Sequence, residues 1–185
     1  MPLDDEGDNL ALVLDEMRSN GSIERLSEYV KRLGEGLQKV DTRIAHGGFV
    51  TVTVQEEYFP EPTPSIRLSD GTLKFLCLMA VLLNPHPQPL ICIEEPESGL
   101  HPDALSLLAE ALVEASERTQ LIVTTHSESL VDSLSARPES VVVCERDSEG
   151  ASCFERLSRK RLDVWLEDYS LGRLWRKGEI GGNRW

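Results

Sequence analysis

The chain has 185 residues, enough for one domain with a sizeable core. Its 19 Lys and Arg against 32 Asp and Glu leave a net charge of −13, which argues against a broad basic surface for nucleic acid, although a local patch would survive the average. Cys77, Cys92, Cys144 and Cys153 sit among apolar residues without CxxC spacing, so buried thiols in a reducing compartment are expected rather than a disulfide frame or zinc site.

The acidic opening MPLDDEGDN is not a secretory leader. The longest apolar run, Phe75 to Leu83, falls far short of the roughly 20 residues that span a bilayer. A cytoplasmic protein without membrane contact is expected. Leu10, Val13, Leu14 and Met17 follow helical spacing after Asn9, a candidate cap. Ile23, Leu26, Val30 and Leu33 do the same after Ser22, with Gly34 and Gly36 ending the run. Val50, Val52 and Val54 alternate with polar residues and predict a half-buried strand. The proline-rich stretch Tyr58 to Ser65 reads as a loop and disfavours a helix or central strand.

Ser69 is a candidate cap for an almost wholly apolar helix from Asp70 to Leu83. Leu90 to Ile93 then read as a fully buried strand of a parallel sheet, running straight into Glu94 and Glu95. Pro102 opens a further helix at its first turn, with Leu105, Leu108, Ala109, Leu112 and Val113 on one face and Glu110, Glu114 and Glu117 looking outward. Leu121 to Val123 form the next strand, ending at Thr124, Thr125 and His126, and Ser127 caps a short helix. Strands are also expected at Val141 to Cys144 and near Cys153 to Leu157. Strands alternating with helices indicate an α/β fold with a mostly parallel sheet. The tail from Leu162 to Trp185, with Trp165, Trp175 and Trp185, is expected to be a helix docked by its aromatic residues.

Three places carry candidate chemistry. Ser69 and Gly71 present backbone amides at a helix amino terminus, which suits an anion, although for this stretch alone simple capping is the favoured reading. Glu94 and Glu95 fall at a strand's carboxyl end, where open α/β sheets place their ligands; solvated acids in a strand-to-helix loop are the plain alternative. His126 also ends a strand, where a lone histidine is more often structural. An anion-binding helix, a paired acid and a strand-end histidine together are what phosphoryl transfer from a nucleotide needs.

At these residues the sequence resembles the ATP-binding-cassette class of ATPases, in its RecF/SMC/OLD-like branch of AAA-type ATPases. LSDGTLK, Leu68 to Lys74, resembles the signature motif; LICIEEPESGLHP, Leu90 to Pro102, resembles Walker B followed by the D-loop; TTHS, Thr124 to Ser127, resembles the switch-histidine motif. The resemblance implies a partial P-loop NTPase fold, ATP and Mg²⁺ as cofactors, and a composite site in a dimer. It implies that Glu94, where the family usually has Asp, helps hold Mg²⁺, and that Glu95 is the general base or orients the attacking water. It implies that His126 bonds the γ-phosphate, and that Ser69 and Gly71 contact the γ-phosphate of a nucleotide held mainly by a second subunit. Ser98 to His101 would lie at the dimer interface.

No GxxxxGK[ST] is present; the sequence contains no Gly-Lys pair. The chain therefore resembles the carboxyl-terminal half of such a domain: residues 1–65 as the helical and β segment before the signature, and 66–185 as the part bearing signature, Walker B, switch histidine and C-terminal helix. The expected partner is a second copy or a P-loop-bearing chain, and direct nucleic-acid contact finds no support in the acidic composition. The alternative function is a non-catalytic interaction or regulatory fragment. A metal-dependent nuclease is the weakest reading, because Val141 to Gly150 resembles the start of a Toprim domain but too little chain follows.

Overall fold

The computed structural model of the protein describes residues 1–34, 36–45 and 47–181. They form two compact units, Met1–Thr124 and Thr125–Trp185. The segment boundary expected at 65/66 thus lies inside the first unit.

The first unit begins with helices α1 (Leu10–Ser19) and α2 (Ile23–Leu33), whose buried positions are the apolar ones read from the spacing. Neither candidate cap caps. Asn9 (φ −93, ψ 10) and Ser22 (φ −83, ψ −10) lack the extended backbone that turns a side chain onto the helix amides. Asn9 instead accepts from the Asp4 amide at 3.0 Å and donates to the Pro2 carbonyl at 2.9 Å, tying down the amino-terminal segment.

Strands β1 (Leu37–Ile44), β2 (Val50–Glu56) and the two-residue β3 (Thr63–Pro64) make an antiparallel sheet against which α1 packs. β1 has no counterpart in the sequence reading. A register shift between Leu37 and Lys39 breaks its alternation, so Leu37, Val40 and Thr42 are buried without the period of two that marks a strand. Thr42 donates to Asp15 at 2.6 Å and accepts from Arg18 at 2.8 Å, which fixes β1 on α1.

Helix α3 (Asp70–Leu82) buries Phe75, Leu76, Met79 and Leu82 completely, and α4 (Ala104–Ser116) buries Leu108 and Ala111 completely. Asp103, rather than Pro102, directly precedes α4. Its outward glutamates are not simply solvated. Glu110 pairs with Arg32 at 2.6 Å and Glu114 with Arg25 at 2.7 Å, both on α2; Tyr29 donates to Glu114 at 2.9 Å. Arg25 and Arg32 also lie 5.0 and 5.5 Å from the Tyr29 ring centroid.

This staple between α2 and α4 sets a pH window. Hydrogen bonds from Arg25 and Arg32 hold Glu114 and Glu110 below the usual carboxylate range. Their contribution is present above the ordinary value of about 4.3 and is lost as pH falls through the lowered one. Burial, and next the Glu114 hydrogen bond, push the Tyr29 phenol up to about 12. Its contribution is full below the ordinary value of about 10 and is lost as pH rises toward the raised one. Urea midpoints followed by circular dichroism should therefore plateau between these limits, and Tyr29→Phe should remove the alkaline fall.

Strands β4 (Leu90–Glu94) and β5 (Gln120–Thr124) pair in parallel, with Glu94 opposite Thr124. The expected burial on both faces is not found. Leu90, Cys92 and Glu94 are exposed while Ile91 and Ile93 are half-buried, and Leu90 and Ile122 are 47% and 51% exposed.

The second unit holds α5 (Glu128–Asp132), β6 (Val142–Arg146), β7 (Ser152–Arg156), α6 (Arg159–Leu166) and α7 (Leu171–Arg176). β6 and β7 form an antiparallel hairpin. The Asp147 carboxylate closes its turn by accepting from the Glu149 and Ala151 amides, each at 2.9 Å. That connection is too short for a parallel crossover. The α/β class holds, but among the described residues parallel pairing is confined to β4 and β5 rather than mostly parallel.

Val131, Leu157 and Leu171 form the buried cluster of this unit, with Leu166 and Trp175 against it. The tail is thus two short helices, docked chiefly by Leu171 and Leu174; Trp165 is 45% exposed and Trp185 lies outside the described residues. Cys92, Cys144 and Cys153 are exposed and only Cys77 is half-buried; Cys92 sits on the exposed side of an alternating strand, and Cys153 on β7, which is exposed throughout. No helix among the described residues is long and apolar enough to cross a membrane.

Candidate functional site

The parallel register brings the ends of β4 and β5 level, so the Glu94–Glu95 pair stands at the carboxyl edge of the pair of strands. Glu95 carries the ladder one step further, its amide donating to the Thr124 carbonyl at 3.0 Å. Its φ of +40° is the sole positive value for a non-glycine residue among the described ones. A left-handed backbone costs an ordinary residue about 1–2 kcal/mol and persists where surrounding contacts over-determine it.

Those contacts are present. Ser98 donates through its amide to the Glu95 carbonyl at 3.1 Å and through its hydroxyl to the Glu95 carboxylate at 3.2 Å. The Lys74 ammonium, from α3, donates to the Ser98 carbonyl at 2.5 Å. A Cβ on Gly71 would stand 2.9 Å from the Gly99 carbonyl, so only glycine allows this approach of the helix start to the loop. The start of α3 and the loop after β4 are therefore one assembly, joining Gly71, Glu95 and Ser98.

Ser69 has the extended backbone that capping needs (φ −68, ψ 154), and its hydroxyl accepts from the Thr72 amide at 3.1 Å. The capping reading of Ser69 is therefore true. The first amides of α3, at Asp70 and Gly71, are the ones that helix geometry leaves for another acceptor. His126 is exposed, two residues past β5 and in the second unit, directly before Ser127, whose hydroxyl caps α5 by accepting from the Leu130 amide at 3.2 Å.

Lys74 is the site residue that sequence reasoning passed over. Its spacing from Gly71, three residues along one helix face, was the available signal. Lys74→Met should leave the loop's peptide units tethered on one side only. Faster hydrogen exchange at the Ser98 and Leu100 amides, by about five- to tenfold for the loss of about 1 kcal/mol, is the expected result. Unchanged exchange there would remove Lys74 from the assembly.

Among the described residues, no three His, Cys, Asp or Glu side chains converge on a metal cage. The donor chemistry of Glu94, one exposed carboxylate, suits instead an ion that keeps waters and shares phosphate oxygens, as Mg²⁺ does.

The family described as "AAA domain, putative AbiEii toxin, Type IV TA system" matches residues 4–132, more than half of the chain. The chain belongs to this AAA-domain family. Two further likenesses, to an Old nuclease and to Smc heads, lie on the RecF/SMC/OLD-like side of the ATPases. One is to the Old nuclease of Escherichia phage P2, 40% identical over 72 residues that make up 38% of this chain and 12% of that protein. The AAA-domain chain thus spans about an eighth of that curated relative's length. The other is structural. An Smc head bound to the C-winged helix domain of ScpA superposes with a TM-score of 0.61 at 18% identity, covering 80% of this chain and 46% of that one. A structure from work on "ATP-driven dimerization and DNA stimulated activation of SMC ATPases" gives 0.56 at 19% identity, with 82% and 93% covered. An Smc head domain with an extended coiled coil from Pyrococcus furiosus, bound to the C-terminal domain of ScpA, gives 0.59 at 19% identity, with 82% and 38% covered. At such identities these neighbours establish the P-loop NTPase-like fold alone.

Proposed function

We propose that this AAA-domain chain supplies the acidic, signature-bearing half of a composite ATPase site, completed by a P-loop-bearing chain or a second subunit. The observation that carries the reading is the strained Glu95, held by Ser98 and, through the Ser98 carbonyl, by Lys74. A carboxylate placed so firmly at a strand end is suited to orienting a water toward a phosphoryl group.

In this reading Glu94 holds Mg²⁺ through a water, and Glu95 accepts the proton of the attacking water or orients it. His126 donates to the γ-phosphate. The amide-bearing start of α3, at Ser69 and Gly71, meets the γ-phosphate of a nucleotide gripped by the other subunit, and Ser98 lies at that interface. Bound Mg²⁺ supplies neutralisation of phosphate charge. The absence of GxxxxGK[ST] from the sequence supports a grip contributed from elsewhere. The "ATP-driven dimerization" named for one structural neighbour supports the composite arrangement by likeness only.

The test is to measure nucleotide binding and phosphate release with and without an added P-loop-bearing chain. Weak binding by the chain alone and hydrolysis on completion are expected. No hydrolysis under any pairing would favour an interaction or regulatory fragment, which the exposed apolar residues Leu90 and Ile122 would also serve.

A further inference from the structure

The core face of the β1–β2 pair runs out of cover at one end. Val40 stands opposite Val54 and Thr42 opposite Val52, all four buried, and the next pair in the same row is Ile44 and Val50. Ile44 is 77% exposed. Phe49, whose carbonyl accepts from the Ala45 amide at 2.7 Å to close the hairpin, is 75% exposed. β3 runs back along β2 with Pro64 opposite Thr53, so the residues after it return to the Val50 end of the sheet. There the short helical turn Ser65–Arg67 packs on β2 and carries Ile66, which is 91% exposed. The chain then passes directly into α3. Leu68 is extended (φ −75, ψ 153), so the side chains of Arg67 and Ser69 leave the backbone on the same side. Arg67 is exposed and makes no ion pair among the described residues. The charges nearest it in the chain and sheet are Asp70, in the first turn of α3, and Arg43, opposite Thr51; both are exposed.

We propose that Phe49 and Ile66 form a platform for the base of a purine nucleoside triphosphate whose γ-phosphate meets the start of α3, with Arg67 on its phosphate chain. The inference rests on the composite-site reading, in which the other subunit grips that nucleotide. A nucleotide is an anion at one end and a flat, largely apolar ring at the other. The chain offers the matching order: amides at Asp70 and Gly71, an unpaired cation at Arg67, and bare apolar side chains at Ile66 and Phe49. From Ile66 to Ser69 the backbone reaches at most about 10 Å, a length comparable with an extended nucleoside triphosphate. In a chain of charge −13, an anionic ligand is held only where such a cation stands free. Contact with an aromatic ring and an aliphatic side chain uses the face of the base and not its edge, so the platform accepts guanine as well as adenine.

The test titrates the isotope-labelled full chain with millimolar ATP and, separately, with inorganic tripolyphosphate, following amide chemical shifts by NMR. ATP should bind about tenfold more tightly than tripolyphosphate, the difference being the base on its platform. ATP should move the amides of Phe49, Ile66, Asp70 and Gly71, and tripolyphosphate only those from Arg67 to Gly71. GTP should match ATP within about twofold. Phe49→Ser with Ile66→Ser, both at exposed positions, should bring ATP down to the affinity of tripolyphosphate while the urea midpoint stays unchanged. Arg67→Ala should weaken both ligands by the same factor, about fivefold. Equal affinity for ATP and tripolyphosphate in the unmodified chain, or an ATP response confined to Asp70 and Gly71, would overturn the platform and leave the composite-site reading standing. A response at Phe49 and Ile66 without one at Asp70 and Gly71 would keep the base contact and overturn the placement of the γ-phosphate. No response at either place would overturn the inference and assign the apolar end to a protein contact. No partner chain enters the titration, so hydrolysis by the completed assembly decides the composite-site reading separately.

Discussion

Substituting Glu95 by Gln should lower ATP hydrolysis by the completed assembly by about 10²–10⁴-fold while nucleotide binding is retained. Gln keeps the length of the side chain and an oxygen that accepts from the Ser98 hydroxyl, 3.2 Å away in the native site. The loop and its left-handed turn at φ +40° therefore persist, and only the proton-accepting charge is lost. Phosphate release and equilibrium nucleotide binding, measured side by side, separate the two. Undiminished hydrolysis would defeat the assignment of Glu95. Loss of binding together with hydrolysis would move Glu95 from chemistry to structure.

The second large effect lies in the other unit. A Cβ at Gly172 would stand 2.7 Å from the Asp132 carboxylate and 2.8 Å from the Glu128 carbonyl, so Gly172→Ala must push α7 off α5. The displacement would strain the bonds from the Gly172 amide to Asp132 at 3.0 Å and from the Leu171 amide to the Ser135 hydroxyl at 2.9 Å, along with the Arg176–Glu128 ion pair. A destabilisation of about 2–3 kcal/mol is expected, although alanine is by itself the better helix former by about 1 kcal/mol. Met1–Thr124 contains no tryptophan, while Trp165 and Trp175 lie in the second unit, so fluorescence-detected urea unfolding reports that unit selectively. A midpoint that is unchanged or raised would show that the backbone gives way at no cost. Since Ser127 alone separates His126 from α5, the same variant also tests whether α7 holds the His126 segment in place.

Legibility followed the period of the signal. The amphipathic faces of α1, α2 and α4 were readable because helical spacing repeats over several turns. Ser69 and Ser127 were readable as caps, and both cap; Asn9 and Ser22 are the same kinds of residue and do not. Residue type was equal in the two pairs, and backbone conformation, which a single sequence does not encode locally, decided between them. β1 stayed hidden because its bulge destroys alternation, and the β6–β7 hairpin was mistaken for more of the parallel sheet because strand direction is a property of pairing. At the candidate site, Glu94, Glu95, Ser98 and Gly71 stood out by motif. Lys74 and the left-handed Glu95 emerged from contact between segments some 20 residues apart.

Chain order alone is enough to mark an α/β protein with an acid pair after one strand, a histidine after the next and no phosphate-gripping loop of the usual pattern, because these are statements about residue type and spacing. Folding decided the rest. It left one face of β4–β5 uncovered, and it drew the start of α3 onto the loop that carries Glu95. Burial, register and close approach depend on which surfaces meet, and hydrophobic patterning states only which surfaces should be covered, not what covers them.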